Sequence, residues 1–168
     1  ASAETSLTFN SDGSFKIIQV ADLQDTANPS KKALEYIKEI AAAEKPDVAF
    51  VCTAPLSHYA ILKELLTYKI NSFTELNLVK DGYEELMELA KANDTVLFLS
   101  STMLYRGEIN FILDEVKKYD KPVSYIYHIG QYLPDWHPWE SYKNFFVGNK
   151  RTNGCREIFG IEMPWLIE

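Results

Sequence analysis

Polar side chains that could bind a ligand come directly after four short apolar runs of the sequence. Asp22 and Gln24 follow the first run, residues 53–58 the second, Glu75 the third, and residues 100–102 the fourth. The strands of a parallel sheet end at one shared edge, where loops converge and helix N-termini point their dipoles inward. We therefore expect a polar rim that could bind a cofactor, a cation or a small substrate. Taken singly, each residue is explained equally well as an ordinary polar strand end.

The apolar runs alternate with amphipathic stretches of helical period. Strands are predicted at 15–20, 48–52, 70–74, 96–99 and 123–127. Ser30 and Ser57 are predicted to cap the first two helices, and Lys45-Pro46 to end the first. This order is typical of βα units and predicts an α/β fold with a Rossmann-like, mainly parallel sheet.

The composition shifts after residue 129, where tryptophans, tyrosines and phenylalanines crowd into a stretch that also contains Pro134 and Pro138. We expect an N-terminal extension at 1–14, a Rossmann-like domain at 15–129, and an aromatic loop and helix at 130–168. Because apolar residues of helical period continue to the last residues, 130–168 is interpreted as the start of an incomplete second domain.

Composition excludes several classes of protein. The 168 residues carry a formal net charge of -7, which argues against nucleic acid and anionic membranes as partners. The two cysteines, Cys52 and Cys155, lie far apart, which indicates neither zinc nor a redox pair and favours a reduced, cytoplasmic protein. No GxGxxG, Walker A, HExxH or GxSxG pattern occurs, and no two of the three histidines have metal-ligand spacing.

The first part of the chain resembles a calcineurin-like metallophosphoesterase. The resemblance rests on Phe-Lys-Ile-Ile-Gln-Val-Ala-Asp-Leu-Gln-Asp at 15–25 and Glu-Lys-Pro-Asp-Val-Ala-Phe-Val at 44–51. It implies that Asp22 and Gln24 begin a two-metal site that activates water. The Gly-Asp and Gly-Asn-His motifs that complete such a site are replaced here by Cys52-Thr53-Ala54-Pro55 and Gly148-Asn149-Lys150.

From about residue 45 onward the chain resembles the glucose-fructose oxidoreductase, inositol dehydrogenase and MocA family. The matching segments are 45–59, which contains Cys-Thr-Ala-Pro-Leu-Ser-His, the stretch Phe-Thr-Glu-Leu-Asn-Leu at 73–78, and Tyr105-Arg106. The resemblance implies NAD or NADP as cofactor and a small, sugar-like substrate. The implied cofactor-binding residues are Thr53, Pro55, His58 and Glu75, and the implied substrate-binding residues are Lys150, Arg151 and Arg156.

The catalytic residues of that family are replaced in this chain. Leu76 stands where the family has a lysine, Ile158 where it has an aspartate, and Glu162 where it has a histidine. The proton of the sugar hydroxyl would then have to be removed by Glu162 or His128.

The sequence leaves three interpretations of the function open. The first is an NAD(P)-dependent sugar oxidoreductase-like domain with impaired or absent activity. The alternatives are a metallophosphoesterase fragment and a non-catalytic chimeric remnant, in which segments of two families join at the strand near 45–51. A homo-oligomer is also left open, since the aromatic stretch could pack against a second subunit.

Overall fold

The computed structural model describes residues 7–21, 29–75, 79–128, 130, 132–144 and 146–152. The chain divides into two units, Ala1–Ser100 and Ser101–Glu168. The first unit contains the sheet, and the second contains the aromatic segment.

The first unit is an α/β fold with four parallel strands. The strands are β1 (Ile17–Ala21), β2 (Val48–Cys52), β3 (Asn71–Thr74) and β4 (Leu97–Leu99), and they lie in the order β1-β2-β3-β4. The intervening helices are α1 (Lys31–Glu44), α2 (His58–Thr67) and α3 (Tyr83–Ala92). The predicted α/β fold with a Rossmann-like parallel sheet is confirmed.

The strand order determines where the core lies. Every crossover advances the sheet in the same direction, and right-handed crossovers then place all three helices on one face. The α2 helix accordingly contacts both α1 and α3. Buried apolar side chains fill the space between this helix layer and the sheet; they include Val20, Ala49, Val51, Ile61, Leu62, Leu65, Leu66 and Leu86.

The first helix begins and ends as its sequence predicts. The Ser30 side chain accepts a hydrogen bond from the Ala33 N–H at 3.1 Å, which confirms the predicted N-cap. At the other end Lys45 has a left-handed backbone (φ 44°), and its N–H donates to the Ala41 carbonyl oxygen at 3.1 Å. Pro46 follows, where the helix cannot continue.

The other face of the sheet carries a row of aromatic rings. The strand register aligns Gln19 with Phe50, Phe73 and Phe98, one residue from each strand. The ring centroids of Phe50 and Phe73 lie 5.0 Å apart, and those of Phe73 and Phe98 lie 5.3 Å apart. Alternate residues of each strand therefore face the helices or this aromatic row.

The described part of the second unit contains two helices and no strand. These helices are α4 (Gly107–Val116) and the short α5 (Leu133–Trp136), with 3₁₀ turns at Thr102–Tyr105 and Phe146–Gly148. No helix among the described residues is long and apolar enough to cross a membrane.

The predicted strand at 123–127 is wrong. Residues 122–128 have no regular secondary structure and are exposed, with Ile126 87% exposed. Apolar and aromatic residues with β-propensity form a strand only where a neighbouring strand completes the ladder, and no described strand pairs with this segment. The helix predicted near the C-terminus lies outside the described residues.

Candidate functional site

The carboxyl ends of β2, β3 and β4 are joined into one edge by backbone hydrogen bonds. The Glu75 N–H donates to the Val51 carbonyl oxygen at 3.1 Å, and the Ser100 N–H donates to the Thr74 carbonyl oxygen at 2.8 Å. These bonds place Glu75 beside the end of β2, where Thr53 begins the next loop. The structure thus brings two of the predicted cofactor-binding residues to neighbouring strand ends.

Residues 53–58, called the 53–58 turn below, form a tightly bonded connection from β2 to α2. A 3₁₀ turn at Pro55–Ser57 precedes the helix. The Ser57 hydroxyl oxygen hydrogen-bonds Thr53 Oγ1 at 2.8 Å and the Ala54 carbonyl oxygen at 2.7 Å. Ser57 is the N-cap residue of α2, as predicted, but its side chain bonds back into the turn and makes no cap hydrogen bond.

His58 completes the bonding of this turn from inside the protein. Its imidazole is 1% exposed, and Nε2 lies 2.8 Å from the Thr53 carbonyl oxygen. A carbonyl oxygen can only accept, so Nε2 carries the proton and donates it in this bond.

The predicted cofactor-binding residues differ in their exposure. Thr53, Pro55 and His58 are buried, whereas Glu75 is exposed at the edge of the sheet. A ligand that approaches this edge can therefore contact the Glu75 carboxylate directly. Because Thr53, Pro55 and His58 are buried and the turn is held by hydrogen bonds, a ligand would meet the fixed surface of the 53–58 turn.

Thr74 provides a further polar group that the sequence analysis did not single out. Its side chain is 0% exposed, and its hydroxyl oxygen has no hydrogen-bond partner among the described residues. A buried hydroxyl without a partner is unfavourable by about 1–3 kcal/mol, so Thr74 lowers the stability of the sheet. The signal in the sequence is weak, since only the polar type of Thr74 next to Glu75 points to it.

Replacing Thr74 with valine is expected to stabilise the protein. Thr74→Val keeps the shape of the side chain and removes the unsatisfied hydroxyl, so we expect the free energy of unfolding to rise by about 1 kcal/mol. Urea denaturation would measure the change in the free energy of unfolding. Thr67→Val is the control, because the Thr67 hydroxyl has a partner: it donates to the Lys63 carbonyl oxygen at 2.7 Å on the surface of α2. A fall in stability for Thr74→Val would show that the hydroxyl is satisfied in solution.

The second unit carries the described candidates for substrate binding and catalysis. Lys150 and Arg151 are exposed, and the Arg151 N–H donates to the Asn149 side-chain oxygen at 2.9 Å. His128 is exposed in the irregular segment before α5. Arg156 and Glu162 lie outside the described residues.

The predicted metal ligands, Asp22 and Gln24, also lie outside the described residues. Within the ranges that the structure describes, no group of three or more histidine, cysteine, aspartate or glutamate side chains could hold a metal ion. The metal site therefore stays a prediction.

Comparison with known proteins identifies no family for this chain. Fold and site define a Rossmann-like α/β protein with a polar carboxyl edge on its sheet. No protein-family model and no curated protein matches the chain.

Proposed function

We propose that the first unit binds NAD or NADP at the carboxyl edge of its sheet, as the cofactor-binding part of a sugar oxidoreductase-like protein. The observation that carries the proposal is the hydrogen bond from the Glu75 N–H to the Val51 carbonyl oxygen. It sets an exposed carboxylate beside the rigid 53–58 turn, at the edge of a parallel sheet where such folds bind their ligands.

The strand order supports this proposal. In the common six-stranded dinucleotide-binding sheet, the order reverses at a switch point, and the strands on each side of it advance in one direction. The four described strands also advance in one direction. They therefore match one side of such a sheet, counted from the strand at the switch point outward. In this interpretation β1 lies on the switch-point side, and the ends of β2 and β3 lie along the nicotinamide half of the cofactor.

The residues at the edge suit the sugar and amide groups of the cofactor better than its phosphates. A carboxylate such as that of Glu75 accepts hydrogen bonds from ribose hydroxyls and from an amide N–H. The sequence has no glycine-rich loop to approach the pyrophosphate. We therefore expect weak binding, in the micromolar to millimolar range.

Oxidation of a sugar hydroxyl needs residues that bind the substrate and a base that removes the proton, and we assign both roles to the second unit. When bound, the cofactor would accept a hydride, and the protein would have to bind the substrate and remove the hydroxyl proton. We propose that Lys150, Arg151 and Arg156 bind a sugar-like substrate and that Glu162 or His128 is the base. The described residues give no support to the phosphoesterase alternative, because its two predicted metal ligands, Asp22 and Gln24, lie outside the described ranges.

Titration with NADH, read from the fluorescence of the dihydronicotinamide ring, is expected to saturate and to raise the melting temperature. Glu75→Ala should weaken binding about tenfold, because a hydrogen bond to a charged group is lost. Glu39→Ala is the matched control, since it removes the same charge from the exposed surface of α1. A parallel titration with NADPH would decide between the two cofactors.

Two results would contradict this function. One is the absence of saturable binding at millimolar NADH. The other is an equal loss of affinity in Glu75→Ala and Glu39→Ala, which would mean that only the net charge matters.

A further inference from the structure

The His58 imidazole lies behind the 53–58 turn and not on its surface. At 1% exposure it cannot touch a ligand outside the protein, yet its Nε2 donates to the Thr53 carbonyl oxygen at 2.8 Å. Because His58 is the first residue of α2, this bond joins the start of the helix to the end of β2. His58 can therefore act on a ligand indirectly, through the position of the Thr53 carbonyl.

The turn is held at two successive carbonyl groups. His58 binds the Thr53 carbonyl oxygen, and Ser57 binds the Ala54 carbonyl oxygen at 2.7 Å. Pro55 limits the next φ angle to about −65°. The Thr53 side chain is held separately, by the hydrogen bond of 2.8 Å between its Oγ1 and the Ser57 hydroxyl.

We propose that His58 is a positioning residue, which fixes the Thr53 carbonyl and thereby the surface that the 53–58 turn presents, and that it makes no contact with the ligand. The inference deepens the proposed cofactor site and rests on it for its functional consequence. Its structural part, an imidazole whose Nε2 carries a proton and donates it to the Thr53 carbonyl oxygen, is independent of any ligand.

A pair of substitutions separates the hydrogen bond from the volume of the side chain. His58→Gln keeps an N–H donor at about the position of Nε2, whereas His58→Met has a similar length and no donor. We expect NADH affinity to fall about tenfold in His58→Met and to stay within about threefold of the original protein in His58→Gln. The carbonyl ¹³C shift of Thr53, measured by NMR, should move in His58→Met and be largely restored in His58→Gln.

Two measurements use the unaltered protein, so they test the proposal even if His58→Met fails to fold. The ¹H–¹⁵N spectrum of the imidazole should show the proton on Nε2. Diethyl pyrocarbonate should not modify the His58 ring, either with or without NADH. A proton on Nδ1 with a bare Nε2 would overturn the proposal. Equal affinities for the glutamine and methionine variants, or direct magnetisation transfer from NADH to the ring, would also overturn it.

Failure of the cofactor site would be recognised separately. If the unaltered protein does not bind NADH, the proposed function is wrong, and the Thr53 carbonyl shift still decides whether His58 positions the turn. If NADH binds and the shift does not change in His58→Met, the proposed function stands and the positioning role is refuted.

Discussion

Truncation of Leu65 to alanine is expected to lower the free energy of unfolding by about 3 kcal/mol, as Leu→Ala substitutions in well-packed cores do. Leu65 is 0% exposed on α2, the middle helix of the layer that covers the sheet. Leu65 belongs to the buried cluster between the helices and the sheet, and because such interiors are closely packed, most of the cavity would remain. Urea denaturation followed by circular dichroism would measure the change.

The matched control is the same substitution at Leu7, which is 47% exposed. Leu7→Ala removes the same atoms without opening a cavity, so we expect a change of about 0.5 kcal/mol or less. Similar losses at the two positions would mean that the helix layer is not packed on the sheet in solution.

The order and type of the main elements could be predicted because local signals agreed with one another. For α1, Ser30, the helical period and Lys45-Pro46 all indicated the same element, and the structure confirms its N-cap. The 123–127 segment had only its apolar composition, with no neighbour to confirm it. A strand depends on a partner that can lie anywhere in the chain, and this is why one sequence segment cannot establish it.

The candidate site was predictable in position but not in detail. Strand ends could be found from the sequence, and they led to Thr53 and Glu75. Which of these side chains faces solvent depends on how the turn folds back, and here the Ser57 hydroxyl reaches Thr53 and Ala54 and makes no cap hydrogen bond. Local backbone bonding by serine competes with helix capping, and the sequence alone does not decide between them.

Gly82, at the start of α3, is the second position at which a single substitution is expected to have a large effect. Its φ is +70°, and an added Cβ would lie 2.0 Å from Cε2 of the Tyr59 ring. Gly82→Ala would strain the backbone by about 1–2 kcal/mol and would also push the ring away. We expect the free energy of unfolding to fall by about 2 kcal/mol or more, measured by urea denaturation.

Displacement of the ring would also break a contact between α2 and α3. The Tyr59 hydroxyl donates to the Glu85 carboxylate at 2.5 Å, and Lys63 binds the same carboxylate at 2.6 Å. Hydrogen bonds from Lys63 and Tyr59 hold the pKa of the Glu85 carboxyl below its usual value. In Gly82→Ala the Tyr59 bond is lost, so the pKa of Glu85, followed by NMR, should return toward the usual value.

Gly13→Ala is the control for backbone strain alone. Gly13 has a similar φ of +78°, and nothing lies within 4 Å of the position of an added Cβ. Gly13→Ala should therefore lower the free energy of unfolding only by the backbone strain, about 1–2 kcal/mol. The double variant Gly82→Ala/Tyr59→Ala separates the clash from the strain: without the ring, Gly82→Ala should have about the effect of Gly13→Ala. If the effect of Gly82→Ala is unchanged when Tyr59 is removed, the close approach of α3 to the Tyr59 ring does not contribute to stability, and backbone strain accounts for the whole loss.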